Sequence, residues 1–250
     1  MLSNYFNVEV KPIMTPIAAG LHASFEDGDV LFDWTAFEIP RGPARLIGVT
    51  AEIRPKGNAN ADPNAFGFEL LFAKSKNLIA PTTLGALNSA PAALTDIEGQ
   101  VNRYIGHMPI IGGDFGVTDQ LAVASTNNDS SIVLQGEPNS GNTKGTDTLY
   151  VGGIAGGDLD FTSLTRINNG DLNGPTMTVN GTDPRLHIAK GDTVAVTTAL
   201  NTSITKAMGV VDSMTSTTIV LTEAFTTGDV VHTDFVYNTS PIKLILHFEK

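Results

Sequence analysis

The feature that most constrains this chain is an alternation of apolar and polar residues, period two, that recurs from one end to the other. Phe6, Val8 and Val10 share one face of an opening segment. Ile47, Val49, Ala51 and Ile53 do so in the next clear one, and Phe66, Phe68, Leu70 and Phe72 form an aromatic stripe soon after. Ile242, Leu244, Leu246 and Phe248 repeat the pattern at the far end. A two-residue period places alternate side chains on opposite faces of an extended strand, so each segment reads as a half-buried β-strand. Shorter strands are expected at Gln120–Ser125, Ser131–Leu134 and Thr148–Gly152. Helical signals are few: Asp29–Phe37 and Thr95–Tyr104 each suit a short helical turn, the second capped by Asp96. Elsewhere glycine and proline recur too often for long helices.

The expectation is therefore an all-β protein. Its predicted organisation is a β-sandwich of jelly-roll type over residues 1–157, completed by a closing strand at 241–250. A smaller, Thr-rich β-barrel or sandwich is predicted over 158–240. In that second region Gly191-Asp192 and Gly228-Asp229 each launch a strand, with Asn201 and Asn238 following at the same offset. Val210–Met214 and Ile219–Thr222 flank Thr215-Ser216-Thr217-Thr218 as a hairpin. Three connections stand out: the polar loop containing Asn58–Asn64, the Gly/Asn/Ser-rich stretch Gln135–Thr146, and Leu78–Leu94. The last is rich in Ala, Pro and Thr, and reads as an extended arm or a loop lying on something.

Composition narrows the chemistry. There is no cysteine among the 250 residues, which removes disulfides, thiolate metal sites and cysteine nucleophiles. Fifteen basic against twenty-six acidic residues give a formal charge of −11, which disfavours a phosphate backbone as partner. No run is long and apolar enough for a membrane span, and Met1–Phe6 lacks the basic-then-apolar order of a secretory signal. Only 16% of residues are charged, so other protein subunits could cover the surface without stripping many charges of water.

Searches for a catalytic, cofactor-binding or metal-ligating constellation return none. His22, His107, His187, His232 and His247 are scattered and form no HExxH pair. No G-x-S-x-G elbow occurs. Asp158 and Asp160 would share a strand face, the minimum for two-carboxylate hydrolysis, but read better as a polar turn before Phe161. Asp158, Asp160, Asn168, Asn169, Asp171 and Asn173 offer oxygen ligands for calcium, yet lack the EF-hand spacing and read as Asx/Gly turns. The runs Ile111–Asp114 and Gly152–Gly157 have no P-loop pattern and are expected to be bends or bulges. Trp34, close to Phe32 and Phe37, suits a core anchor or a stacking platform for a sugar.

Three segments carry a resemblance: Ile188–Val194, Met208–Met214 and Thr217–Thr222. Together they resemble small β-modules of tailed-bacteriophage virion proteins, while the early half is similar in style to capsid decoration (cement) proteins. The resemblance implies a non-enzymatic subunit on the capsid exterior, made in the host cytoplasm. It would bind the major capsid protein and copies of itself, as a trimer, with no cofactor. The termini, Leu78–Leu94 and Asn58–Asn64 are the expected contact regions. The alternatives are a receptor- or glycan-binding appendage, such as a tail or head fibre, and a hydrolase on a β scaffold.

Overall fold

The alternating segments become strands, and their pairing decides the architecture. A computed structural model describes residues 4–14, 21, 23–92, 103–118, 121–138, 145–168, 174–198, 205–224 and 230–250; the side chains of 128–131 and 205 are outside it. The first nine strands are β1 (Tyr5–Val10), β2 (Val30–Pro40), β3 (Ala44–Ile53), β4 (Phe68–Lys74), β5 (Tyr104–Ile110), β6 (Gly116–Thr118), β7 (Leu121–Leu134), β8 (Glu137–Pro138) and β9 (Thr146–Ala155). The rest are β10 (Arg166–Ile167), β11 (Thr176–Asn180), β12 (Thr193–Thr197), β13 (Thr205–Met214), β14 (Thr218–Leu221), β15 (Phe235–Asn238) and β16 (Ile242–Glu249). Two short 3₁₀ turns, Gly112–Asp114 and Pro184–Leu186, are the helical elements among the described residues.

The pairs are nested. β1 joins β16, β2 joins β9, β3 joins β7 and β4 joins β5, all antiparallel. Folding this long ribbon over itself yields two facing sheets, β1-β16-β3-β7-β6 and β2-β9-β4-β5, with the short β8 also on β9. That is the jelly roll: successive strands pass between sheets, and the last pairs with the first. Phe32, Phe68, Leu70, Phe72, Leu246 and Phe248 fill the space between the sheets, fully or almost fully buried. Each contributes about 1.5–3 kcal/mol of transfer free energy.

Strands β10–β15 close separately into a barrel of order β10-β11-β14-β13-β12-β15. It is filled by Ile167, Met177, Val179, Val194, Val196, Ile219 and Val236. The hairpin expected around Thr215–Thr218 is there, with Met214 opposite Ile219 and Thr215 N–H donating to Thr218 O at 2.9 Å. The barrel sits in the chain between β9 and β16, after which β16 returns to lie between β1 and β3.

Some local expectations fail for identifiable reasons. Asp29–Phe37 is not a helical turn; Val30 onward is β2, and two register irregularities between Val30 and Thr35 break the alternation that would have marked it. Ile47 does not share a face with Val49: a bulge between Leu46 and Gly48 turns Leu46 into the core instead. Gly152 and Gly153 lie inside β9 and are not a bend. A Cβ at Gly153 would come within 2.3 Å of the Phe32 ring, and one at Gly152 within 2.6 Å of Leu84 and 3.2 Å of Trp34. The two glycines leave room for a ring against each face of the sheet. Most of Thr95–Tyr104 lies outside the described residues, as do Gly228, Asp229 and Asn201; Tyr104 itself opens β5.

The barrel is keyed to the sandwich by a buried carboxylate. Arg54, just after β3, donates from Nε to Asp192 Oδ2 at 3.0 Å and from Nη2 to Oδ1 at 3.3 Å. Asn238 Nδ2 and Ala189 N–H also donate to Oδ2, at 3.0 and 2.9 Å. A second link starts at His187, also buried. Thr165 gives its one hydroxyl proton to Thr182 O at 2.9 Å, so His187 Nε2–H is the donor in the 2.9 Å contact with Thr165 Oγ1. Thr182 Oγ1 in turn donates to Gly57 O of the sandwich at 3.1 Å. Burial pushes the His187 imidazole down to about 4, partly opposed by the nearby Asp183 carboxylate.

Two predictions follow from this junction. Replacing Asp192 by Ala strands Arg54 and Asn238 without their acceptor and should cost about 3 kcal/mol in urea unfolding, the scale for breaking a buried pair. In an Arg54→Ala/Asp192→Ala double mutant the loss should fall well short of the sum of the two single losses. Neutral His187 is favoured in the folded state, so its contribution is present above pH 6.5 and is lost as pH falls toward about 4. Wild type should lose about 3 kcal/mol more than His187→Gln across that window. Parallel pH curves for the two proteins would contradict it.

Candidate interaction surface

The carboxylates singled out for chemistry do not converge. Asp160 Oδ1 accepts Thr162 N–H at 2.9 Å, and Oδ2 lies 3.9 Å from Lys56 Nζ, so this carboxylate organises a turn. Asp158 is exposed on the other side of the buried Leu159. Of the calcium set, Asn168 is exposed and receives a bond from Asn180 Nδ2 at 3.1 Å, while Asn169, Asp171 and Asn173 lie outside the described residues. Among the described residues no group of three or more His, Asp or Glu side chains could hold a metal ion.

The histidines are equally dispersed. His247 sits between Asn7 Oδ1 and Thr50 Oγ1, both at 2.9 Å, in a polar ladder on the outer face of the first sheet. His107 is exposed 3.5 Å from Glu69, His232 is on an exposed turn, and His22 is outside the described residues. The Asn58–Asn64 loop, expected at an intermolecular contact, is partly internal. Asn64 is fully buried and donates to Arg54 O and Asp160 O at 3.0 and 2.8 Å, while Gly57 bridges to Ser163.

The segment Leu78–Leu94 is not an extended arm as far as residue 92; it is a loop lying on its own sheet. Trp34 Nε1 donates to Thr82 O at 2.9 Å, and Leu84 N–H donates to Asp33 Oδ1 at 2.8 Å. Val30 exchanges backbone bonds with Asn88 and Ser89. Leu84 and Leu87 are buried beneath the loop. The Trp34 ring, tilted against Tyr104 at 5.6 Å, is thus a half-buried fastener and not an open stacking platform.

What the loop leaves outside is its first turn. Lys76 and Ile79 exchange backbone hydrogen bonds at 3.1 Å, with Asn77 and Leu78 between them at φ +54° and +65°. This is the left-handed pair of a tight hairpin turn, for which Asn-Gly is the favoured sequence. A leucine in the second position costs about 1–2 kcal/mol. The Glu137 carboxylate compensates by accepting Leu78 N–H at 2.7 Å, Asn77 N–H at 3.0 Å and Ser75 Oγ–H at 2.8 Å. The bond from Leu78 leads in holding this carboxyl below its ordinary range. Arg103 Nη1 donates to Ile79 O and Ala80 O, at 3.4 and 2.5 Å. The result is a braced turn carrying two large apolar side chains in water, Leu78 at 49% exposure and Ile79 at 64%.

At the opposite end of the same sheet lies an apolar groove of about 420 Å³. Phe66, Pro109, Ile111 and Ile154 line it, with Asp27 and Glu69 beside them. Phe66 and Ile111 are 43% and 55% exposed, although the sequence stripe assigned Phe66 to the core face. A smaller recess of about 310 Å³, beside the braced turn, is lined by Glu38, Thr148, Tyr150 and Leu78 among others. No protein-family model and no curated protein matches this chain.

Sequence reasoning picked out the Leu78 region by its composition but missed Glu137, about sixty residues away, because nothing local marks that carboxylate as a brace. The strain at Leu78 is testable. Leu78→Gly should raise stability by about 1 kcal/mol, since glycine adopts the left-handed conformation freely. Glu137→Ala should lower it by about 1 kcal/mol, the net scale of such hydrogen bonds where water can take up the freed N–H groups. Urea titration of both variants checks the pair of signs.

Proposed function

We propose that this protein is a non-enzymatic virion structural subunit, a capsid decoration or cement protein of a tailed bacteriophage. Its partners in this reading are the major capsid protein and copies of itself, on the capsid exterior, in a trimeric arrangement. The observation that carries the reading is the braced Leu78–Ile79 turn on a jelly roll. Backbone strain and three hydrogen bonds to Glu137 are committed to presenting apolar side chains to water. Rigid apolar side chains of this kind make binding hot spots, because little freedom is lost on contact. Jelly rolls recur in viral capsid and lectin domains, which is support by analogy of fold. The acidic surface and the sparse charge also suit a protein partner better than a nucleic acid.

A second reading, a glycan-binding appendage, is favoured by the recess where Tyr150 offers a ring edge or face beside Thr148 and Glu38. The two readings separate in one set of experiments. Undecorated shells assembled from the major capsid protein of the same genome should bind the purified protein saturably and break down at a higher temperature once covered. Absence of binding to such shells, or binding with no gain in shell stability, would overturn the decoration reading. Glycan-array binding that disappears in Tyr150→Ala would establish the second in its place.

A further inference from the structure

We infer that copies of this chain associate head to tail, the Leu78–Ile79 turn of one copy seating in the Phe66/Ile111/Ile154 groove of the next. The inference rests on the proposed function and deepens it by assigning the contact between copies to named surfaces.

The two surfaces are at opposite ends of one sheet. β4 begins with Phe68 at the groove and ends with Lys74 at the turn, a span of about 20 Å at the usual rise per residue. The turn is braced by Glu137 and Arg103, so it cannot fold back to fill its own groove. Each copy therefore displays an apolar protrusion and an apolar recess that only another molecule can satisfy.

Charge selects the pairing. Lys74, Lys76 and Arg103 outnumber Glu137 and Glu38 around the turn, while Asp27 and Glu69 stand at the groove. With a net charge of −11, arbitrary approach of two copies is repulsive. Bringing the basic end of one to the acidic end of another is the orientation in which that repulsion is locally reversed. Groove against groove would set Asp27 and Glu69 of each copy against the same residues of the other, and turn against turn would oppose the lysines. The contact is consequently heterologous, made from two different patches. Repetition of such a contact yields a closed ring when the rotation permits and a filament when it does not. A ring agrees with a trimer, and its individually modest contacts would be reinforced when all copies sit on one shell.

The absence of cysteine makes the test clean. Ile79→Cys and Ile111→Cys each introduce a sole thiol, one on the turn and one at the groove. With a short thiol-to-thiol crosslinker, a mixture of the two should give dimers containing one of each. Neither variant alone should crosslink. Light scattering should find wild type associated at about 100 µM, above the dissociation constants of small specific interfaces. Leu78→Gly, which eases the turn but removes the side chain, should melt slightly above wild type, by about 2–4 °C, while associating at least about tenfold more weakly. Lys76→Glu should also weaken association, and Glu69→Lys in the partner copy should restore it.

A wild-type protein that stays monomeric at that concentration overturns the inference. So do crosslinks between two Ile79→Cys molecules, or an associated protein whose mixed variants fail to crosslink. Monomers that saturate capsid shells would leave the decoration reading standing and remove this one. Rings that ignore the shells would do the reverse.

Discussion

The carboxylate of Asp192, 1% exposed, is the point through which the two halves of the molecule are assembled. A charge in that position is tolerated only if its lone pairs are satisfied. The donors come from three separate places: Arg54 after β3, the backbone of Ala189 before β12, and Asn238 at the end of β15. Lys11, just after β1, approaches to 3.8 Å. Satisfying one buried group thus sets the orientation of the barrel against the sandwich and the path of the chain back into β16. Around this hub the two cores merge, since Ala195, Phe235 and Tyr237 of barrel strands pack with the sandwich core. The Tyr237 hydroxyl, raised to about 12 by that burial, stays un-ionised.

The barrel is held to the sandwich through Asp192 and through the Thr182–Gly57 bond, and the second sheet of the sandwich carries a layer of its own. Its outer face is overlaid by the loop that Trp34 and Asp33 fasten, and Gly152 of β9 lets that layer lie close. Fastening the loop stiffens the turn that begins it. The stability of the jelly roll core and the exposure of Leu78 and Ile79 are therefore connected: a loosely held loop would bury those side chains against its own chain. Stability supplied by the sandwich is what allows a strained, apolar turn to persist in water.

This arrangement also accounts for the scattering of the titratable groups. Several buried ones, among them His187, Asp192 and Asp234, are engaged in holding segments together, Asp234 by accepting from Lys206 Nζ at 3.0 Å. The polar interior acts in assembly of the fold, while the braced turn and the apolar groove, at the two ends of one sheet, are open to solvent. In the proposed contact role, specificity would come from the placement of a few apolar side chains and the charges beside them.

How much of this was legible without the structure varied by element. Alternation alone located the inward faces of Phe68, Leu70 and Phe72, and of Ile242 through Phe248, because a period of two is a property of neighbouring residues. The Thr215–Thr218 hairpin was legible for the same reason. β2 was misread where its bulges interrupt the period, and Ile47 where one bulge reverses the face. Glu137, Asp192 and the docking of Leu84 beneath the loop were not legible, since their partners lie tens of residues away and leave no local pattern. By itself, then, the sequence determined an all-β chain with strands of known inward face, independent of cysteine. The nested jelly-roll pairing, the buried hub and the braced turn opposite an apolar groove were decided only by tertiary structure, because alternation specifies which side of a strand is buried and not which strand lies beside it.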